Sequence, residues 1–320
     1  MSNVLLLSAG RRVELVEAFK IEMAKRNLEG HVCATDLQPH LSAACQIADR
    51  AFKAPRVTDP GYIDFLLETC LAEGIRLVVP TIDTELLLLA RNQSRFAAAG
   101  IHLIISDESL VALCRDKRKT SDLFTELGID TPRIYERSAI TFPCFAKPYD
   151  GSCSVGATLL PRPDALTSAM LEDEKMMFME YIDSTHVEYT VDAYYDRMGR
   201  LTCAVPRQRI EVRGGEVSKG ATRRHFVYEY LLPRLAKLQG ARGCITVQVF
   251  ANEATGRFAA LEINPRFGGG YPLSYSAGAN YPGWLIDEYL LGHDIEFFDE
   301  WENNLLMLRY DAKVLVRDNI

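Results

Sequence analysis

The chain of 320 residues has no glycine fingerprint for a dinucleotide: only Gly10 stands in the turn after its first apolar run, so G-x-G-x-x-G is missing. A nicotinamide-dependent oxidoreductase is therefore disfavoured. A Walker A loop is missing too, because Gly151 and Gly156 have the spacing but Ala157-Thr158 stand where Lys-Ser/Thr is required. The eight cysteines form no Cys-x-x-Cys pair, and the six histidines show no His-Glu-x-x-His spacing, which argues against a zinc enzyme. Positive charge is in deficit: the net charge of -7 leaves no electrostatic footprint for nucleic acid. No apolar run reaches the length of a membrane span, and the longest, Leu86–Ala90, suits a buried helix. The N-terminal residues lack a basic leader and read as a first strand rather than a signal peptide. A cytoplasmic protein with buried, reduced thiols and no membrane partner is expected; Cys153, in a Gly-rich loop, is the one candidate for oxidation.

What is present begins as alternating strands and helices. Apolar runs at Val4–Ser8, His31–Thr35, Arg76–Pro80 and Ile101–Ile105 suit strands covered on both faces. Between them, Val13–Arg26 carries a helical stripe of Val13, Val16, Phe19 and Met23, and Thr58–Gly61 opens another helix. Such alternation implies a parallel sheet with right-handed crossovers. Ligands collect at the C-terminal ends of such strands, which places Arg11, Arg12, Asp36 and the turn Thr81–Glu85 on one edge. Arg11, Asp83 and Glu85 are candidate substrate residues; the alternative is that Asp83 or Thr84 caps the next helix.

The richest stretch is Arg257–Gly270, RFAALEINPRFGGG. Phe258–Ile263 reads as a strand that Pro265 and three glycines must end. Glu262 and Asn264 share a face, and both are hard oxygen ligands suited to Mg²⁺. Cys244–Phe250 is a second strand, and a five-residue loop, Glu253–Arg257, would set Gln248 opposite Glu262. An ordinary hairpin with a solvated Glu is the alternative. Upstream, Phe142–Lys147 is a strand leading into a Gly/Ser loop over Gly151–Gly156, whose backbone N–H groups could close around phosphate. Arg207–Gly220 reads as a hairpin crowded with cations, and Met307–Val316 as a closing strand.

LEINPRFGGG with an upstream Gln, a strand ending Lys147-Pro148, and Asp116-Lys117 resembles the ATP-grasp superfamily, in the branch of carbamoyl phosphate synthetase large subunits and carboxylate–amine ligases. The resemblance is strongest from about 115 to 270. It implies α/β and α+β architecture: an N-terminal Rossmann-like (pre-ATP-grasp) domain over 1–108 and an ATP-grasp domain over 109–320, with a lid over about 117–182 and a C-terminal subdomain over about 183–320. It implies that Gln248, Glu262 and Asn264 hold one or two Mg²⁺, with Mn²⁺ as a substitute. ATP would be bound by Lys117, Lys147, the loop residues Gly151, Ser152, Ser154 and Gly156, the backbone of Glu180, Tyr181 and Ile182 at adenine, and Glu188 at the ribose. Arg266 would contact the transferring phosphoryl group, and Arg209 and Lys219 the carboxylate. The implied reaction joins a small-molecule carboxylate to an amine through an acyl phosphate, releasing ADP. A carbamoyl-phosphate-synthase-like activation of bicarbonate is the second reading. A full synthetase of that kind carries two such units, and a biotin carboxylase needs a further C-terminal domain. A non-catalytic nucleotide sensor is weakened by the intact metal ligands. A homodimer is compatible with all of these. Because Glu262 reads as an uncompensated carboxylate, its replacement by Gln is expected to leave the unliganded protein as stable or more so.

Overall fold

The computed structural model of the protein describes residues 2–151 and 155–317. Its first layer is a parallel sheet of β1 (Asn3–Leu6), β2 (Val32–Asp36), β3 (Arg50–Lys53), β4 (Ile75–Val79) and β5 (His102–Leu103), in the order β3-β2-β1-β4-β5. The crossovers carry α1 (Val13–Lys25), α2 (Ala43–Ile47), α3 (Tyr62–Ala72), α4 (Asp83–Arg91) and α5 (Gln93–Ala98). All of β1 is buried, as its unbroken apolar run requires of a central strand covered on both sides. The order reverses between β1 and β4, so the turns that follow these two strands, Ser8–Arg12 and Thr81–Asp83, open the crevice where such sheets hold ligands. Strand β3 has no apolar alternation, being mostly exposed, which is why the sequence pattern did not show it.

After α6 (Glu108–Cys114) and α7 (Lys117–Glu126) comes a small antiparallel sheet, β6-β9-β7-β8, made of β6 (Ile134–Tyr135), β7 (Cys144–Pro148), β8 (Thr158–Leu160) and β9 (Met176–Glu180), with α8 (Ser168–Glu172) alongside. Its own core is thin: Cys144, Ala146, Leu160 and Phe178. The third sheet is larger and antiparallel, β14-β13-β10-β11-β12-β15, from β10 (Val187–Tyr195), β11 (Leu201–Arg213), β12 (Glu216–Thr222), β13 (Gly243–Asn252), β14 (Arg257–Asn264) and β15 (Leu306–Leu308). Helices α9 (Phe226–Leu235), α10 (Tyr271–Ser276) and α11 (Tyr281–Tyr289) pack on it. One hydrophobic core runs from this sheet through to α1 and β1, joining the first and third layers. Polar bonds reinforce that joint: buried Glu22 of α1 accepts from Tyr275 and Asn280, and Arg26 pairs with Asp287 at 2.6 Å.

The closing strand is shorter than the expected Met307–Val316. It ends at Leu308, after which Arg309 directs its guanidinium to Glu216, Glu14 and the Gly269 carbonyl. Among the described residues, no helix is long and apolar enough to cross a membrane. Six of the cysteines are buried free thiols, and burial pushes Cys33 and Cys70 up to about 12. Cys153 lies outside the described residues.

Candidate active site

The hairpin β13–β14 sets Gln248 opposite Glu262, and Thr246 opposite Asn264. The expected pairing is met by two compensating departures. The turn is one residue tighter, with Asn252 opposite Arg257, and a bulge at Leu261 restores the register before Glu262. Across the sheet, Thr190 of β10 pairs with both Gln248 and Arg207. Side chains alternate, so Glu188, Thr190, Arg207, Arg209, Thr246, Gln248 and Glu262 share the face that floors one large cleft.

The cleft has a volume of about 800 Å³, in the range of small-molecule sites. Its floor is the third sheet; one wall is the small sheet with Lys117, Lys147, Pro148 and Gly151; the other is the first layer with Ser8–Arg12 and Thr81–Thr84. Asp116 caps α7 by accepting from Arg118 N, which places Lys117 at the helix start. The Lys117 ammonium donates to the Gly151 carbonyl and lies 3.6 Å from Glu262 Oε2. Asn264 Nδ2 donates to Glu262 Oε1 at 3.0 Å. Lys147 projects from β7 into the same group. Burial pulls its pKa down to about 8; Glu262 pulls upward, and Lys117 adds to the lowering. Glu262 is thus not the uncompensated carboxylate that its place in the sequence suggests. It is the counter-charge of two lysines.

The wall from the first layer is tied in by Arg266, whose Nη2 donates to Asp83 Oδ2 at 2.7 Å. Both side chains are largely buried. Arg209 is cleft-facing, with Nε 3.0 Å from Glu188 Oε1. Arg11 reaches the cleft rim but is exposed, 3.8 Å from Glu216.

Several expected site residues fall elsewhere. Glu85 is fully buried and holds the β1 and β4 turns together: it accepts from Ser8 Oγ at 2.8 Å, Tyr62 OH at 2.9 Å and Thr81 N at 2.9 Å. It has no access to a substrate. Lys219 leaves the cleft for an exposed ion pair with Glu211 at 2.6 Å. The two-residue turn Gly214-Gly215, with φ of 59° and 81°, pairs Arg213 with Glu216, and register shifts on either side of Glu211 set Lys219 opposite Glu211 and Gly220 opposite Arg209. Arg209 and Lys219 therefore cannot act together. Glu180, Tyr181 and Ile182 do not line the cleft; the Glu180 carboxylate pairs with Arg257 at 2.6 Å. Gly156 packs on Pro148 rather than lining the cleft. Asn264 meets the cleft only through Glu262. Ser152 and Ser154 lie outside the described residues.

Two cleft residues were not among the candidates, although Arg12 was placed on the ligand edge of the first sheet and Arg207 in the cation-rich hairpin. Arg12, beside the favoured Arg11, is the more buried of the pair; nothing in two adjacent arginines says which points inward. Arg207 was legible from parity, since it shares a face with Arg209. It is buried, and grips Asp192 through Nε at 2.7 Å and Nη2 at 3.0 Å.

The donor set of Gln248, Glu262 and Asn264 suits Mg²⁺: three hard oxygen donors including one carboxylate, with further ligands left to phosphate and water. Behind the lysines a recess lined by Ile134, Met177, Met179, Ala260 and Leu261 is small, about 10 Å³.

Comparison with known proteins agrees with this arrangement. Residues 4–104 match the family model "PylC-like, N-terminal domain", and residues 172–308 match "ATP-grasp in the biosynthetic pathway with Ter operon". No curated protein matches the sequence. The fold is shared with the biotin carboxylase domain of Hydrogenobacter thermophilus 2-oxoglutarate carboxylase, a structure with MgADP and bicarbonate (TM-score 0.74, 14% identity, 95% of this chain and 73% of that one). It is shared also with N5-carboxyaminoimidazole ribonucleotide synthetase of Thermotoga maritima (0.67, 16%, 92% and 77%) and L-amino acid ligase of Bacillus licheniformis (0.67, 14%, 91% and 74%). The α/β layer carrying Arg12 and Asp83, the lysine-bearing small sheet and the Gln248–Glu262 hairpin give this chain the fold of these ligases and carboxylases, and its residues 172–308 match an ATP-grasp family model.

Proposed function

We propose that the protein is a Mg²⁺-dependent ligase that activates a small carboxylic acid with ATP as an acyl phosphate, then couples it to an amine and releases ADP and phosphate. The observation that carries this is the grouping of Lys117, Lys147 and Glu262 on one side of the cleft, beside Arg266 held by Asp83 from the opposite layer. We take 1–108 as the N-terminal domain and 109–320 as the ATP-grasp domain, with the lid and C-terminal parts bounded as the sequence suggests.

The transferring phosphoryl group spreads negative charge over its oxygens, so catalysis is mainly positioning and charge stabilisation. Lys117 and Lys147 would bind the phosphate chain. Before nucleotide arrives Lys117 pairs with Glu262, whose charge also acts on Lys147 and offsets the repulsion between the two lysines. Gln248, Glu262 and Asn264 would hold Mg²⁺, which when bound supplies charge neutralisation on the phosphate oxygens. Arg266 would meet the reacting carboxylate and phosphoryl group, with Asp83 as its positioning residue. Gly151, Ser152, Ser154 and Gly156 would close over the phosphates and exclude water from the acyl phosphate. Glu188 would take the ribose hydroxyls with the carboxylate oxygen that Arg209 leaves free. Adenine would enter the recess behind the lysines as Met177 and Met179 move, with the Glu180–Ile182 backbone at its edge.

Bicarbonate as the acid is the second reading, favoured by the bicarbonate in the Hydrogenobacter domain. A larger acid is preferred here, because the cleft continues past Arg266 to Arg12 and Arg207, which bicarbonate would leave unused. The test is ADP release from MgATP across a panel of acids, with hydroxylamine trapping any acyl phosphate as a hydroxamate. Hydroxamate formed with ADP supports the reading; AMP and pyrophosphate would overturn it.

A further inference from the structure

The cleft holds two groups of charges. Those acting on Lys147 are Glu262 and Lys117; those acting on Arg12 are Arg266, Glu216, Asp83 and Arg309. The two sets share no member. The first serves the phosphates in the reading above, and Arg266 stands between. The second lies beyond it, where the turn Ser8–Arg12 faces the turn Gly268–Gly270.

In this second group, the cations other than Arg12 have anionic partners. Arg266 has Asp83, and Arg207 has Asp192, which also accepts from Ser274 Oγ at 2.6 Å. Arg309 has Glu14 at 3.2 Å and Glu216 at 3.4 Å, and Arg11 has Glu216 at 3.8 Å. Arg12 makes no ion pair and no side-chain hydrogen bond among the described residues. Burial lowers its pKa and Arg266 lowers it further, against the more distant carboxylates of Glu216 and Asp83, which raise it. A cation out of water without a direct partner is costly, and an arriving anion offsets that cost. In the same cleft wall, Arg207 Nη1 and Arg266 Nε are buried without a partner among the described residues, so the local charge is not neutralised by further bonds.

The backbone is shaped for these guanidinium groups. A Cβ on Gly270 would collide with Arg207 Nη1, and one on Gly269 would lie 3.3 Å from Arg12 Nη1 and 2.8 Å from the Glu216 carboxylate. Opposite, Ser8 and Gly10 sit at φ of 49° and 51°, held by the bonds of Ser8 to Glu85 and of Gly10 N to Asp36. That rigid turn presents Arg12 at the start of α1, whose first N–H groups have no intrahelical partner and favour negative charge.

We propose that the acid substrate carries a second anionic group, a carboxylate or phosphate remote from the reacting carboxylate, which binds Arg12 between the α1 N-terminus and the Gly268–Gly270 turn. This names the substrate class of the proposed ligase site and rests on that reading. Bicarbonate and simple monocarboxylic acids lack the second group and would leave Arg12 unpaired.

The test is calorimetry on protein saturated with Mg²⁺ and the hydrolysis-resistant analogue AMP-PNP, so that the phosphate-binding lysines are occupied. Succinate, inorganic phosphate and propionate are then titrated into wild type, Arg12→Gln and Arg12→Lys. At least one of the two dianions is expected to bind at least tenfold tighter than propionate, to lose at least tenfold in Arg12→Gln, and to recover part of that in Arg12→Lys. Preference for succinate marks a diacid, and preference for phosphate a phosphorylated acid. Dianions that bind no tighter than propionate, or equally to wild type and Arg12→Gln, overturn the proposal. AMP-PNP affinity should be unchanged in both variants. Its absence in wild type would defeat the ligase reading itself, whereas intact AMP-PNP binding without a dianion site removes only this inference.

Discussion

Lys147 offers a quantitative test, because its ammonium is held at about pH 8 by burial. A polyphosphate placed against it must draw the proton back on, so nucleotide binding should take up protons. If the bound pKa returns to the ordinary lysine value of about 10.5, uptake is about 0.1 proton at pH 7, about 0.5 at pH 8 and about 0.9 at pH 9. The assay is calorimetry with Mg²⁺ and AMP-PNP at each pH in buffers of differing ionisation enthalpy, where the slope of heat against that enthalpy counts protons. Lys147→Met keeps the length without the charge and should abolish the rise in uptake with pH. The unliganded protein carries the matching signature. The unfolded chain keeps this proton up to about pH 10.5 and the folded one loses it from about 8, so stability contributed here rises with pH between those values. Below about pH 8 the cost is fully present, up to about 3 kcal/mol, and wild type should be less stable there than Lys147→Met, the gap closing towards pH 10. Proton release on binding, or uptake that survives in Lys147→Met, would refute the assignment of Lys147 to the phosphate chain.

Glu262→Gln should lower turnover by orders of magnitude, since the metal's charge stabilisation is worth several kcal/mol. It should also destabilise the unliganded protein by about 1 kcal/mol, because Lys117 and Lys147 lose their counter-charge; melting and ADP release measured side by side check both, and activity within twofold of wild type would remove Glu262 from the metal site. Glu85→Ala should cost about 3 kcal/mol in chemical denaturation, since Ser8, Tyr62 and Thr81 each lose a buried acceptor. Lys219→Ala should leave ADP release within about twofold of wild type, in keeping with its exposed pair to Glu211.

How much of this was legible in the sequence depended on period and spacing. The parallel layer followed from apolar runs separated by helical stripes, and β3 escaped because an exposed edge strand has no alternation to read. The pairing of Gln248 with Glu262 was placed correctly although the hairpin turn was drawn one residue too long; the bulge at Leu261, invisible in composition, made good the difference. Parity with Arg209 was enough to include Arg207, whereas the register shifts around Glu211 that draw Lys219 to Glu211 leave no mark in the sequence. Glu85 could not be sorted from Asp83 by pattern, because a helix-capping carboxylate and a substrate ligand occupy the same kind of strand-end turn. The pairing of Glu262 with two lysines depends on residues about 115 and 145 positions away, which only the folded chain brings together.

The central claim is that the cleft between the small sheet and the β13–β14 hairpin is an ATP site. Equilibrium binding of Mg²⁺ and AMP-PNP, with NAD as the competitor, measures it most directly on wild type and a Lys117→Met, Lys147→Met double variant. The account predicts saturable, Mg²⁺-dependent binding to wild type that NAD does not displace and that falls at least a hundredfold in the double variant. No binding, displacement by NAD at equal concentration, or undiminished affinity without the two lysines would contradict it.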